Sequence, residues 1–309
     1  MTPTTDEHGA DRGSDHGAGL GAAGDGAPGA TAARATGAPP GRAGRNLPAA
    51  IGVGVFLGGL IVASLLTVQW GFAALATAAL MVGILELRGG MHAGRIDIPT
   101  PPVLVGGAAM MVGSYLWGAH ALLVIFGLTL LSVVCWRALG EAVGAVRDIA
   151  GGMFVATYAP FLASFSCLML REDDGPARVF VFCLATVFSD IGGYAAGVWK
   201  GKHPMAPSVS PKKSWEGFAG SVAACVAMGS WSVPWALGGT WWAGALLGVV
   251  AAAFATMGDL AESLLKRDLG IKDMGHLLPG HGGIMDRLDS LLIMAAPCWL
   301  LLYLLVPVR

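Results

Sequence analysis

Nine runs dominated by apolar residues, at about 47–67, 70–87, 102–118, 120–136, 149–170, 178–199, 217–237, 240–258 and 288–307, leave this chain few ways to fold. Each approaches the ~20 residues a helix needs to cross ~30 Å of hydrocarbon. The fold class expected is all-α: a polytopic helical membrane protein with about nine transmembrane helices. Composition agrees, with 55% hydrophobic and only 13% charged residues, against about 25% charged in ordinary soluble domains. The first and second runs are separated by two residues, and the third and fourth by one, which predicts tight helical hairpins.

Residues 1–45 are a different material, rich in Gly, Ala, Thr, Asp and Pro with almost no large apolar side chains. Such a segment cannot bury enough surface to offset the entropy of folding, so a disordered tail is expected there. It lacks the short apolar core and cleavage site of a signal peptide. Residues 46–309 are read as one transmembrane domain, whose 180–290 portion carries the candidate site. Placing the tail and every second loop on one side gathers 16 of the 19 Lys and Arg there, leaving Arg171, Arg178 and Arg309 opposite. By the positive-inside rule the tail and the 258–290 stretch face the cytoplasm of a multi-pass cell-membrane protein.

Net charge is −1 with no long basic run, so nothing points to nucleic acid. The five cysteines lie in apolar stretches without a CxxC pair, which argues against disulfides or a zinc site and for small buried hydrophobes.

The charges that remain are concentrated. Gly258–Ser290 holds six of the twenty acidic residues and four of the nineteen basic ones. Charge among membrane spans is costly and usually marks a site. Asp259, Glu262, Ser263 and Lys266 fall at i, i+3, i+4 and i+7, one face of a helix continuing from the eighth span. Arg267 and Lys272 follow, then the Gly-rich turn Pro279-Gly280-His281-Gly282-Gly283, then Asp286, Arg287 and Asp289 opening the last helix. The helix dipole alone favours carboxylates at that position, but it does not account for Asp259, Glu262 and Ser263 across the loop.

Two further places carry polar chemistry. Asp190 lies within the sixth span, ~15 Å of helix from its end; either it belongs to a site or it is a protonated packing residue beside the close-approach motif Gly193-x-x-x-Gly197. The loop Lys200–Gly217 has three prolines, which make it stiff and non-helical. Its Lys202, Lys212, Lys213 and Ser214 suit an anionic phosphate ligand or, alternatively, an anchor at anionic lipid. Carboxylates from two helices, with Lys and Arg, suggest Mg2+ completed by substrate phosphates. Phosphoryl or nucleotidyl transfer needs mostly positioning and charge neutralisation. His276 and His281 are poor zinc candidates, with no cysteine near and carboxylates dominant.

The run Ser263-x-x-Lys266-Arg267-x4-Lys272-Asp273, continuing through Pro279-x-His281-Gly282-Gly283-x-x-Asp286-Arg287-x-Asp289, resembles the signature of phosphatidate cytidylyltransferases. The resemblance extends to Ser189-Asp190 with Tyr194 and to Ser210-Pro211-Lys212-Lys213-Ser214-x-Glu216-Gly217, about the C-terminal 120 residues in all. It implies condensation of CTP with phosphatidate to CDP-diacylglycerol and pyrophosphate, for phospholipid biosynthesis at the membrane. It implies Mg2+ with Asp259 and Asp286 as ligands, and leaves open a second cation and a homodimer; Asp289, one turn on from Asp286, is a third candidate ligand. Lys212, Lys213, Lys266 and Arg267 would hold substrate phosphates with Ser263 nearby, and His281, Gly282 and Gly283 would line the phosphate pocket. Val198 departs from the pattern, standing where many relatives carry a basic residue. The alternatives are a cation-coupled transporter, against which the charges cluster at one face, and a CTP-dependent polyprenol or phytol kinase, which would lack this signature.

Overall fold

A computed structural model describes residues 47–275 and 282–308. The expected disordered tail, His276 and His281 lie outside the described residues. Among the described residues the chain makes nine continuous helical runs. These are α1 (Leu47–Thr67), α2 (Gln69–Ala93), α3 (Thr100–Trp117), α4 (Ala119–Ala138), a broken run of α5 (Ala145–Ala156) and α6 (Leu162–Leu170), α7 (Gly175–Lys200), α8 (Trp215–Ser232), α9 (Trp241–Asp268) and α10 (Met285–Leu305). Six runs are long and apolar enough to cross a membrane: α2, α4, α5–α6, α7, α9 and α10. The all-α membrane class holds.

Each irregularity has a local cause. Thr157–Phe161, between α5 and α6, is a π-helical turn with Pro160 inside it, and Val233–Leu237 after α8 is another containing Pro234. Proline lacks an N–H and crowds the carbonyl a turn earlier, so the helix widens there rather than stopping. The proline-rich loop forms a small antiparallel hairpin, β1 (Pro204–Ala206) and β2 (Ser210–Ser214). Its base is tied by Glu216, which accepts from the backbone N–H groups of Lys202 (3.2 Å) and His203 (3.3 Å).

Small residues bring α7, α8 and α9 together. A Cβ on Gly192 would stand 2.6 Å from Gly220 O, and one on Gly193 2.6 Å from Ser221 Oγ. Cβ atoms on Gly229 and Gly244 would each collide with the other's carbonyl. In lipid, with no hydrophobic drive between helices, such backbone approach is what dispersion contacts require. Ser221 Oγ adds a 2.7 Å bond to Ser189 O across α7 and α8.

Two large clusters of buried side chains, beside a small one of Met110, Leu122 and Leu168, fill the interior among the described residues. One gathers Phe72, Met169, Phe182, Leu247, Met294 and Cys298; the other gathers Ile84, Leu87, Tyr158, Met274, Met285 and Leu292. Outside, Leu123, Val124, Leu128 and Leu131 of α4 stay more than half exposed, as a lipid-facing surface demands. Exposed Trp70, Trp117, Trp235 and Trp241 sit at one end of the bundle, and Trp136, Trp199 and Trp215 at the other. That is the amphipathic ring placement expected of two membrane interfaces.

At the end carrying Trp70 and Trp117, Arg178 is 2% exposed. Its guanidinium ion-pairs with Asp174 and donates to Leu302 O (3.1 Å) and Val306 O (2.8 Å), satisfying carbonyls at the C-terminus of α10. Removing one partner of a buried pair typically costs about 3–5 kcal/mol. Arg178→Ala is therefore expected to lower the melting temperature of the detergent-solubilised protein well below that of a surface control such as Arg171→Ala. Equal melting of the two variants would remove the clamp.

Candidate functional site

The site begins where α9 meets α10. A Cβ on Gly258 would lie 2.6 Å from Asp289 O and 2.8 Å from Ser290 Cα, so only glycine lets the two helices touch there. One residue on, Asp259 accepts from Ser290 Oγ on α10 and from Lys213 Nζ on β2. One turn further, Glu262 is 2% exposed. Its Oε2 takes Lys266 Nζ at 2.9 Å, while its Oε1 is buried without a hydrogen-bond partner. Lys266 Nζ also reaches Asp286 Oδ1 at 2.6 Å, bridging the helices. Asp286 accepts from the N–H groups of Gly283 (2.7 Å) and Met274 (3.3 Å). Asp289 lies within electrostatic reach of Asp259 and Glu262.

The helical face read from the sequence thus holds Asp259, Glu262 and Lys266 together and joins them to Asp286 and Asp289. Ser263 is part-buried on the same turns and makes no hydrogen bond or ion pair among the described residues. Gly282, at φ +78°, and Gly283 turn tightly around Asp286, so the Gly283 N–H is committed to that carboxylate.

A cavity of about 200 Å³ opens beside this cluster, lined by Asp190, Tyr194, Lys212, Lys213, Ser214 and Asp259 among others. Lys213 belongs to both, since its ammonium crosses from the hairpin to Asp259. Asp190 faces the cavity from α7. Ser214 serves as N-cap of α8, accepting from Gly217 N at 3.1 Å.

Four basic residues lie elsewhere. Lys202 and Lys272 are exposed on the loops at this end, and Arg267 is exposed in the last turn of α9. Arg287, one residue past Asp286, lines a second, apolar cavity of about 330 Å³ with Phe72, Phe182, Leu288 and Leu291, and lies within electrostatic reach of Asp190.

Three polar residues escape the sequence reading. Ser290 looks like an ordinary small residue until it is found donating to Asp259. Tyr158, 7% exposed, comes from the π-helical turn with its hydroxyl buried and unpartnered, within electrostatic reach of Glu262, Asp289 and Asp259. Glu86 sits near the end of α2 and accepts from Met285 N at 2.8 Å. A lone carboxylate in the second apolar run was the available signal for Glu86; nothing in the local sequence marks Tyr158.

The donor set is all oxygen on two facing helices, the chemistry a hard divalent cation prefers. A buried carboxylate oxygen without a donor, Glu262 Oε1, is what a cation would satisfy. Lys213 and Lys266 take up much of the remaining carboxylate charge, and among the described residues no three carboxylate, imidazole or thiol groups converge as a ready-made metal site. The residues suit a cation that shares its shell with ligand oxygens rather than a closed protein cage.

Comparison with known proteins matches the family model described as cytidylyltransferase family to residues 48–305. The chain is 41% identical over 280 residues to a phosphatidate cytidylyltransferase of Mycobacterium leprae, covering 85% of this chain and 90% of that one. It is 41% identical over 277 residues to a protein of the same name from Mycobacterium tuberculosis, covering 85% of this chain and 84% of that one. A third of that name, from Brucella suis, is 42% identical over 158 residues, covering 50% of this chain and 55% of that one.

The Lys266 bridge makes a testable coupling. Lys266→Met strands Glu262 and Asp286 without a counter-charge and should destabilise by about 3 kcal/mol. Adding Glu262→Leu removes one stranded carboxylate and should recover much of the loss, read as melting temperature. Strictly additive losses would show that the bridge does not couple the helices.

Proposed function

The chain belongs to the cytidylyltransferase family, and from that premise we propose how its site transfers a cytidylyl group from CTP to phosphatidate, giving CDP-diacylglycerol and pyrophosphate. The observation that carries the mechanism is Lys213, whose ammonium joins the hairpin-lined cavity to Asp259 and the carboxylates between α9 and α10. A nucleoside triphosphate needs cations, and a divalent ion on its phosphates needs carboxylates; Lys213 marks where the two requirements meet.

The CTP triphosphate enters beside Lys212 and Lys213, which neutralise charge as it approaches. A phosphatidate oxygen forms a bond to the α-phosphorus as the bond to pyrophosphate breaks. No general base is assigned, because a phosphate monoester with a second pKa of about 6 already offers an anionic oxygen. Asp259, Asp286 and Asp289 would hold Mg2+, which supplies neutralisation of the pentacoordinate phosphorus and the leaving pyrophosphate. Lys266 stays between Glu262 and Asp286, keeping the two helices at a fixed separation while charge moves nearby. Such transfer is mostly positioning and electrostatics, and these groups supply both.

The lipid comes from the bilayer side. The apolar cavity between α1, α2, α7 and α10 would accept acyl chain, with Arg287 at its rim for the phosphatidate headgroup. One face of α10 then serves the cation and another serves the lipid. The site end faces the cytoplasm in this reading, supported by the concentration of Lys and Arg in its loops.

Membranes containing the chain should convert labelled CTP and phosphatidate to CDP-lipid and pyrophosphate, and chelating Mg2+ should abolish it. Asp259→Ala and Asp286→Ala are each expected to lower kcat about a hundredfold or more. Full activity in either variant would overturn the assignment of that carboxylate, and absence of CDP-lipid from the wild type would overturn the mechanism.

Arg287→Ala should raise KM for phosphatidate about tenfold, the loss of one charge-assisted contact, with KM for CTP unchanged. A shift in the CTP value instead would move Arg287 to the nucleotide side.

A further inference from the structure

The helix that carries Asp286 starts without a cap of its own. Ile284 occupies the N-cap position of α10 and has no side-chain oxygen to offer the exposed N–H groups of the first turn. The acceptor comes from 199 residues away, where Glu86 Oε2 takes the Met285 N–H at 2.8 Å. A carboxylate at a helix N-terminus is also favoured by the helix dipole.

The surroundings are cut to admit this carboxylate. A Cβ on Gly283 would stand 2.5 Å from Glu86 Oε2 and 2.8 Å from Gly275 N. A Cβ on Gly275 would collide with the carboxyl group of Glu86 itself. These glycines therefore leave room for a side chain from α2. The same face of α2 packs beside them: Gly83 lies against Met285 and Leu288, and Gly90 against Ile271 and Met274. Ile84, Leu87 and Met91 are buried in one cluster with Met274 and Met285. Glu86 Oε1 is buried with no hydrogen-bond partner. An arrangement serving stability alone could use an apolar side chain here and avoid that desolvation.

We propose that Glu86 is a positioning residue for the transfer reaction, fixing the first turn of α10, and with it Asp286, by capping Met285 from α2. The connection is short: Glu86 holds Met285, and the next residue, Asp286, receives Gly283 N–H, Met274 N–H and Lys266. Glu86 lines neither of the two cavities. It acts through Asp286, and this inference rests on the cytidylyl-transfer reading above.

The test is a set of full-length variants in membranes, assayed with CTP, phosphatidate and Mg2+. Glu86→Ala should lower kcat about thirtyfold, with both KM values within about threefold of wild type. Glu86→Gln keeps an oxygen that accepts the Met285 N–H and should retain activity within about fivefold. Gly275→Ala should lower kcat in the wild-type background by displacing the carboxylate, yet cost little more once Glu86 is already alanine. Wild-type kcat in Glu86→Ala, or losses that simply multiply in the double variant, would overturn the proposal. So would Glu86→Gln as impaired as Glu86→Ala at unchanged melting temperature, since charge rather than capping would then matter. Should Glu86→Ala fail to fold, Gly275→Ala decides alone: a lowered kcat at constant KM supports the proposal and an unchanged kcat sinks it. A wild type that makes no CDP-lipid defeats the functional reading instead. The same cycle is then read in melting temperatures, where a Gly275→Ala penalty undiminished by Glu86→Ala overturns the contact.

Discussion

Everything at the polar end of this bundle depends on two helices being able to touch at Gly258. The contact sets α9 and α10 close enough for one lysine, Lys266, to serve carboxylates on both. Without that closeness, Asp286 would lose the lysine of α9, and stranding one partner of a buried pair costs several kcal/mol. Without the lysine, the closeness would force like charges together. The glycine and the ammonium are two halves of one solution to placing negative charge at the edge of a hydrocarbon layer.

The rest of the C-terminal half is built to keep that solution in register. Glycine faces seat α7 on α8 and α8 on α9, each at backbone contact, so the hairpin between α7 and α8 is carried by a stiff base. Lys213 can therefore be delivered to Asp259 by a strand of only five residues. Where proline interrupts α5–α6 the helix widens by a turn and continues, and at the end of α8 a wide turn carries the run on to Leu237.

Much of this was legible in the residues, for physical reasons. Apolar runs of span length announce helices because lipid leaves little else. The spacing of Asp259, Glu262 and Lys266 announces a shared face because 3.6 residues make a turn. The grouping of Asp286 with them was also readable, as charge on both sides of one loop. Arg287 shows the limit: the sequence sets it beside Asp286, but only the fold shows that it lines the apolar cavity about 100° of helical rotation away. Glu86 and Tyr158 show another. Their significance lies in what reaches them from far along the chain, Met285 in one case and the acidic cluster in the other. No local pattern encodes that.

The Arg178 clamp lies at the opposite end from the chemistry, yet it sets how accurately the chemistry is held. It pins the start of α7 to the finish of α10, and each helix reaches the site only at its far end. From Leu302 to Asp286 the lever is ~24 Å at 1.5 Å per residue. A rocking of ~5° about the pinned end would swing Asp286 by ~2 Å, and errors of ~1 Å in catalytic geometry can cost a hundredfold in rate. The arginine acts as the hinge pin of a long arm, and tolerance at the tip is fixed by play at the pivot.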